Sequence, residues 1–272
     1  MKIQTIALFA FGAVAGSYAQ ISFAGGTYSQ NFDSLDSTGT NIVWTDNSTL
    51  AGWYQRRVND PTTELADQYN AGTGSSNTGA VYSFGSENSS ERALGSIGSG
   101  TVEHAAYGVR LTNTSGQLIN SVDISYTGEQ WRDGGNASAV AHTLFFSYNV
   151  GGTTIGADTQ ATGGASGYGA DPSFTTVSAL DFTSPTAIST STGYALDGNL
   201  ASNRVAISGT ISLNWAAGQD LWIRWVDINN VGNDHGLAVD DFSLTANPVP
   251  EPGTMAALAL GAAAFARRRR SK

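Results

Sequence analysis

YGVRLTNTSGQLINSVDISYT, residues 107–127, decides the fold. Tyr107, Val109 and Leu111 lie on one face with Arg110 between them. After the polar turn at 113–116 the alternation resumes with Val122, Ile124 and Tyr126 against Asp123, Ser125 and Thr127. Successive side chains of a strand point to opposite faces, so a period of two describes half-buried antiparallel strands with one face in a core. Outward from this stretch the pattern repeats. Leu144, Phe146, Tyr148 and Val150 alternate, and Phe145 on the other face indicates a strand covered on both sides. Further strands are expected at 21–32, 80–84, 91–97, 173–182, 205–213, 221–228 and 237–245, with an aromatic element beginning at 50–54. The Gly-, Ser-, Thr- and Asn- or Ala-rich stretches 60–79 and 151–172 lack periodicity and read as loops. Strands joined by turns rather than by helical segments predict an all-β fold of two packed antiparallel sheets, a jelly-roll-like sandwich. An immunoglobulin-like sandwich is the alternative, although it usually needs fewer residues. No internal repeat is visible, which weighs against a propeller or solenoid.

Both ends of the chain read as addresses rather than fold. Residues 1–19 combine Lys2, an apolar stretch at 6–14 and small residues at Ser17 and Ala19, the pattern of a signal peptide cleaved between Ala19 and Gln20. Residues 247–272, NPVPEPGTMAALALGAAAFARRRRSK, hold three pieces in order: Pro250, Glu251 and Pro252, then an apolar run, then Arg267, Arg268, Arg269 and Arg270. The two prolines keep their segment out of helix and central strand and so accessible to a processing enzyme. The apolar run 254–266 would make a short transmembrane anchor helix of roughly 20 Å, against a hydrocarbon core of about 30 Å. The arginines would hold its end on the cytoplasmic side. This order resembles the PEP-CTERM sorting signal of exported bacterial proteins. The resemblance implies recognition and cleavage by a membrane-embedded exosortase, transient membrane anchoring, and release to the cell surface or extracellular matrix. The folding domain is then 20–246.

Composition narrows the partners. The chain has no cysteine, so disulfides, thiol nucleophiles and thiolate metal sites are excluded. Between the two signals 7 arginines, and no lysine, stand against 21 carboxylates, a net charge of about −14. Nucleic acid binding relies on clustered cations neutralising phosphates, so nucleic acid is excluded as a partner. Divalent cations and neutral polysaccharides suit such a surface better. Aromatic residues at 10% argue for a packed core despite 33 glycines.

Five stretches resemble a recurring extracellular domain of PEP-CTERM and related exported bacterial proteins: NFDSL at 31–35, LAGWY at 50–54, RALGS at 92–96, GEQWR at 128–132 and GLAVDDF at 236–242. Two of them contain candidate sites. Trp131 can serve as a stacking platform for a sugar ring, with Glu129 and Arg132 as its hydrogen-bonding rim. Alternatively, Glu129 pairs with an arginine such as Arg224 while Trp131 covers the sheet edge. Asp240 and Asp241 on the last strand, with Asp33 near the first, are candidate calcium ligands, because the first and last strands of many jelly rolls lie side by side. Similarity to carbohydrate-binding jelly rolls supports a structural calcium there. The alternative is one aspartate in solvent and another capping a turn.

Enzyme signatures are missing. His104, His142 and His235 show no metal-ligand spacing, no Gly-x-Ser-x-Gly elbow occurs, and no carboxylate pair is marked out. The expectation is a non-catalytic exported protein, structural or polysaccharide-binding; a secreted glycan-active hydrolase is the alternative.

Overall fold

The computed structural model describes residues 20–57, 67–100, 102, 104–156, 159–160, 168–169 and 171–248. These form an all-β sandwich of two main sheets, with the antiparallel pair Thr159–Gln160 and Tyr168–Gly169, inside the expected loop 151–172, as a separate two-stranded one. The first runs in the order Ile21–Phe23, Ala105–Asn113, Asp220–Asp227, Thr143–Val150, Thr175–Thr176. Trp53–Arg57 also pairs with Ala105–Asn113, and Phe182–Thr183 with Thr143–Val150. The second runs Tyr194–Ala195, Ile119–Asp133, Gly236–Pro248, Ala93–Ile97, Ala80–Phe84, Gln68–Gly72, Ile42–Val43. Arg204–Trp215 also lines Ile119–Asp133, and Thr27–Gln30 lines Gly236–Pro248. Among the described residues helical structure is confined to short 3-10 turns, one of them Ser178–Leu180.

The sheets are mixed rather than purely antiparallel. Ile21–Phe23 runs parallel to Ala105–Asn113, and Gln68–Gly72 parallel to Ala80–Phe84. Neither pair is joined by a hairpin, so no tight turn imposes the antiparallel direction. Gln68–Gly72 also lies inside the stretch expected to be loop; its backbone pairs on both sides although its composition carries no strand signal. The expected strand at 173–182 is broken into Thr175–Thr176, the 3-10 turn and Phe182–Thr183. The last strand continues to Pro248, so the first two residues of the segment 247–272 belong to the sheet.

The alternation at 107–127 does what its period implies. Tyr107, Val109, Leu111, Val122, Ile124 and Tyr126 all enter one core shared by both sheets. Trp225 is its centre, fully buried, stacked on Trp53 at 6.1 Å and met edge-on by Tyr126, Phe146 and Phe242. Coverage on both faces falls on Asp220–Asp227: Trp222, on the outer side, packs with Ile155, Phe174 and Tyr54. Phe182 lies so close over Gly128 that a Cβ there would be 2.3 Å from its ring.

Candidate functional site

Strand geometry gathers three acidic residues on the outer face of the second sheet. Glu129 and Trp131, two apart, share a face. Ala238 lies opposite Glu129, so Asp240, two residues along its strand, shares that face too. Val239 pairs on its other side with Leu94, which aligns Ala93 with Asp240 and brings Glu91 in from the same side. Carboxylate oxygens of Glu91, Glu129 and Asp240 consequently lie within 4.8 Å of one another.

The cluster is dry and short of donors. Glu129 is 0% and Asp240 6% exposed. Trp131 Nε1 donates to Glu129 Oε2 at 2.9 Å, and Asn199 Nδ2 donates to Glu91 Oε2. Glu91 Oε1, Glu129 Oε1 and Asp240 Oδ1 are buried and accept no hydrogen bond among the described residues. The guanidinium of Arg92 is committed to Ser83 Oγ at 2.8 Å and to the Ser83 carbonyl. Burial pushes the Glu129 carboxyl up to about 8, against the Trp131 hydrogen bond and with the Glu91 charge adding. Asp240 is likewise pushed up to about 8, first by burial and then, against the Asp241 amide, by the Glu129 charge. Such an all-oxygen donor set suits a hard cation such as calcium or magnesium.

The expected glycan contact needs correction. Trp131 is 1% exposed, and Phe84 stacks near it at 6.1 Å and 3°. Gly198 packs so tightly against it that a Cβ would stand 2.4 Å from the indole. With its ring walled in, it offers no face to a sugar. Arg132 turns instead to the carbonyls of Gly74 and Ser75, at 3.0 and 3.3 Å. Glu129 does not pair with Arg224, which belongs to the other sheet and donates to Ser147 Oγ and the Ile155 carbonyl.

The expected calcium ligands separate in the same way. The last strand meets the second, Thr27–Gln30, with Gln30 facing Phe242, while the first, Ile21–Phe23, lies in the other sheet. Yet Asp33 is exposed and accepts from Asn31 Nδ2 and the Arg92 amide, and Asp241 is exposed at a bulge with φ of 49°. Only Asp240 points into the acidic cluster, because adjacent strand residues face opposite ways. Glu91 was missed, since nothing in its local sequence distinguishes it from a surface glutamate.

A second polar region occupies one end of the sandwich. A cleft of about 350 Å³ is lined by loop residues including Asn77, Ser99, Thr192, Asn229 and Asn233, with Arg132 and Asp234 in its wall. Asp234 connects it to a buried layer holding all three histidines. His142 and His235 stack at 4.1 Å; His142 Nδ1 lies 3.8 Å from Asp234, and His235 Nε2 3.9 Å from Asp133. His104 Nδ1 accepts the Asn229 amide at 3.2 Å. Burial lowers the His142 imidazole to about 4, helped by the His235 charge, and raises Asp234 to about 6. His142 and His235 meet here through tertiary structure, without any spacing rule between them.

Ala19, Pro250, Glu251, Pro252 and Arg267 to Arg270 lie outside the described residues. Within the described residues no helix is long and apolar enough to cross a membrane. Residues 248–270 match the PEP-CTERM protein-sorting motif, so the chain carries a sorting signal of exported proteins. No curated protein sequence matches the chain. Solved structures similar to it include the CBM22-1 xylan-binding domain from Paenibacillus barcinonensis Xyn10C, at 12% identity and TM-score 0.33, covering 85% of this chain and 99% of that one. The arabinose-bound MgGH51 α-L-arabinofuranosidase is similar at 12% identity and TM-score 0.33, over 86% of this chain but 27% of that enzyme. A carbohydrate-binding module specific for non-crystalline cellulose, CBM28, is similar at 9% identity and TM-score 0.31, over 79% and 98%.

Proposed function

We propose that this protein is exported, processed by an exosortase at its C-terminal signal, and binds extracellular polysaccharide without cleaving it. The cleft at the end of the sandwich carries the binding part of this reading. Its size falls within the range of about 300–1,000 Å³ common for small-ligand sites, and its lining of amides, hydroxyls and one guanidinium matches the hydroxyl-rich edge of a sugar. With every tryptophan in the core, recognition rests on hydrogen bonds rather than on stacking. The hydrolase alternative needs two carboxyls reaching a substrate bond, whereas the raised pair Glu129 and Asp240 is enclosed beneath neighbouring chain.

Two measurements test this. The exported protein should be retained by an insoluble polysaccharide with no release of reducing sugar. Replacing Asn77 by alanine and Thr192 by valine together should weaken retention about tenfold, as expected for two hydrogen bonds of roughly 0.5–1.5 kcal/mol each, while leaving the melting temperature unchanged. Sugar release that disappears on replacing one carboxylate would instead establish the hydrolase. For sorting, replacing Pro250, Glu251 and Pro252 by alanine should leave a membrane-held product whose mass still includes Arg267 to Arg270. A variant processed like the parent would contradict exosortase recognition of that turn.

A further inference from the structure

We propose that Glu91, Glu129 and Asp240 form a binding site for a divalent cation of the calcium class, which ties the strands Ile119–Asp133 and Gly236–Pro248 to the entry of Ala93–Ile97. The site is separate from the polysaccharide cleft and does not depend on it.

Three observations converge on the ion. The three side chains come from separate parts of the chain and place carboxylate oxygens within 4.8 Å of one another. Each also presents one buried oxygen with no hydrogen-bond donor among the described residues, in a layer where Glu129 is wholly and Asp240 almost wholly removed from water. Leaving such an acceptor bare costs about 1–3 kcal/mol, and more when it is charged, so three bare acceptors facing one another call for a shared proton or a bound cation. Finally, the surrounding donors are already committed: the Trp131 indole and the Asn199 amide occupy the other oxygens of Glu129 and Glu91, and Arg92 is bound to Ser83. Arg204, opposite Glu129 on the neighbouring strand, lends charge but no hydrogen bond to the bare oxygen, and a bound cation would satisfy all three oxygens at once.

The donor chemistry narrows its identity. Carboxylate oxygens alone, without nitrogen or sulfur, favour a hard ion over zinc or copper. Calcium accepts six to eight oxygens in irregular geometry, so the three bare carboxylate oxygens would be completed by backbone carbonyls and water. Partial access through Glu91, the one member of the set that is not buried, gives the ion a route in.

Terbium, a luminescent stand-in for calcium, reads the site directly, because the Trp131 indole nitrogen is 2.9 Å from a carboxylate oxygen of Glu129. Excitation of the tryptophans of the full-length protein should sensitise terbium emission, and calcium should quench it by displacement. Trp131→Phe should cut that emission severalfold while keeping the calcium-induced rise in Tm. That rise should be roughly 5–10 °C for the parent at calcium a hundred times its Kd. Glu129→Gln and Asp240→Asn should each abolish the rise; in chelator Glu129→Gln should melt no lower than the parent, since the amide nitrogen that replaces one carboxylate oxygen can donate to the neighbouring bare acceptors. The assignment is overturned if the parent's Tm ignores both calcium and chelator, or if both variants keep the calcium response. It is also overturned if Glu129→Gln loses as much stability in chelator as in calcium, which would make Glu129 a structural hydrogen-bond acceptor. Should a variant fail to fold, the parent's calcium titration and the Trp131→Phe emission decide: emission unchanged by that substitution places the ion elsewhere.

Discussion

Replacing Trp225 by alanine should lower the unfolding free energy by about 3–5 kcal/mol, the range for emptying a large aromatic position in a packed core. The upper half of that range is expected, because the indole joins the two sheets. Trp53 stacks on it at 6.1 Å and 7°, and Phe146 meets it at 5.5 Å from its own sheet. From the facing sheet come Tyr126 at 5.2 Å and Phe242 at 5.4 Å. Each such ring pair contributes about 0.5–1.5 kcal/mol beyond simple burial, and alanine removes all four at once while leaving a cavity between two hydrogen-bonded sheets that cannot collapse. In a domain of this size the loss corresponds to a fall in Tm of roughly 10–15 °C. Denaturant unfolding of parent and variant measures it. A cost near 1 kcal/mol would mean that the sheets do not close on this residue.

Replacing Asp234 by asparagine should make the protein acid-sensitive between pH 6.5 and 4. Two buried groups titrate there with opposite signs. Burial raises the folded-state pKa of Asp234 to about 6, so its contribution to stability is complete below its ordinary value of 3.8 and is lost as pH rises through 6. Burial, with the His235 charge, lowers His142 from 6.5 to about 4, so the unfolded chain takes up this proton first and stability is lost as pH falls from 6.5 towards 4. Each shift is worth about 3 kcal/mol at 1.36 kcal/mol per pH unit, and in the parent the two slopes largely cancel. Below pH 6 the Asp234 carboxyl is protonated, so although it stands 3.8 Å from His142 it offers no charge to hold a proton on the ring. Asparagine keeps an acceptor for the Asn230 amide but removes the titration, leaving the His142 term alone. Asparagine also removes one of the two causes that raise the neighbouring Asp227, which burial, the larger cause, still holds up. Unfolding free energies at pH 6.5 and pH 4 should differ by about 3 kcal/mol more in Asp234→Asn than in the parent. Parallel curves for the two proteins would show that this pair does not titrate as described.

Much of the fold was legible because a half-buried strand writes its burial into its own sequence. Val122, Ile124 and Tyr126 announce a core face without reference to any other segment, and all three are buried. Gln68–Gly72 shows the opposite case. Its residues suit a loop, and they become a strand because the backbone of Ala80–Phe84 and Ile42–Val43 is available on either side. The same division holds for the site. Trp131 was visible as an aromatic residue near charge, but whether its ring faced solvent depended on Phe84 and Gly198, which arrive from distant segments. The pairing of Asp240 with Asp33 was inferred from neighbouring strands. The strands are neighbours, but pleating turns Asp240 towards Glu129 and Asp241 away.

By itself the sequence determined the all-β class, the acidic cysteine-free character and the sorting signal at 248–270, since each depends on local composition, order or period and none on a partner. Tertiary structure alone decided which acidic side chains converge and which aromatic residues are enclosed. Register across the hydrogen-bonded strands sets both, and it places Glu91, Glu129 and Asp240 together although nothing along the chain connects them.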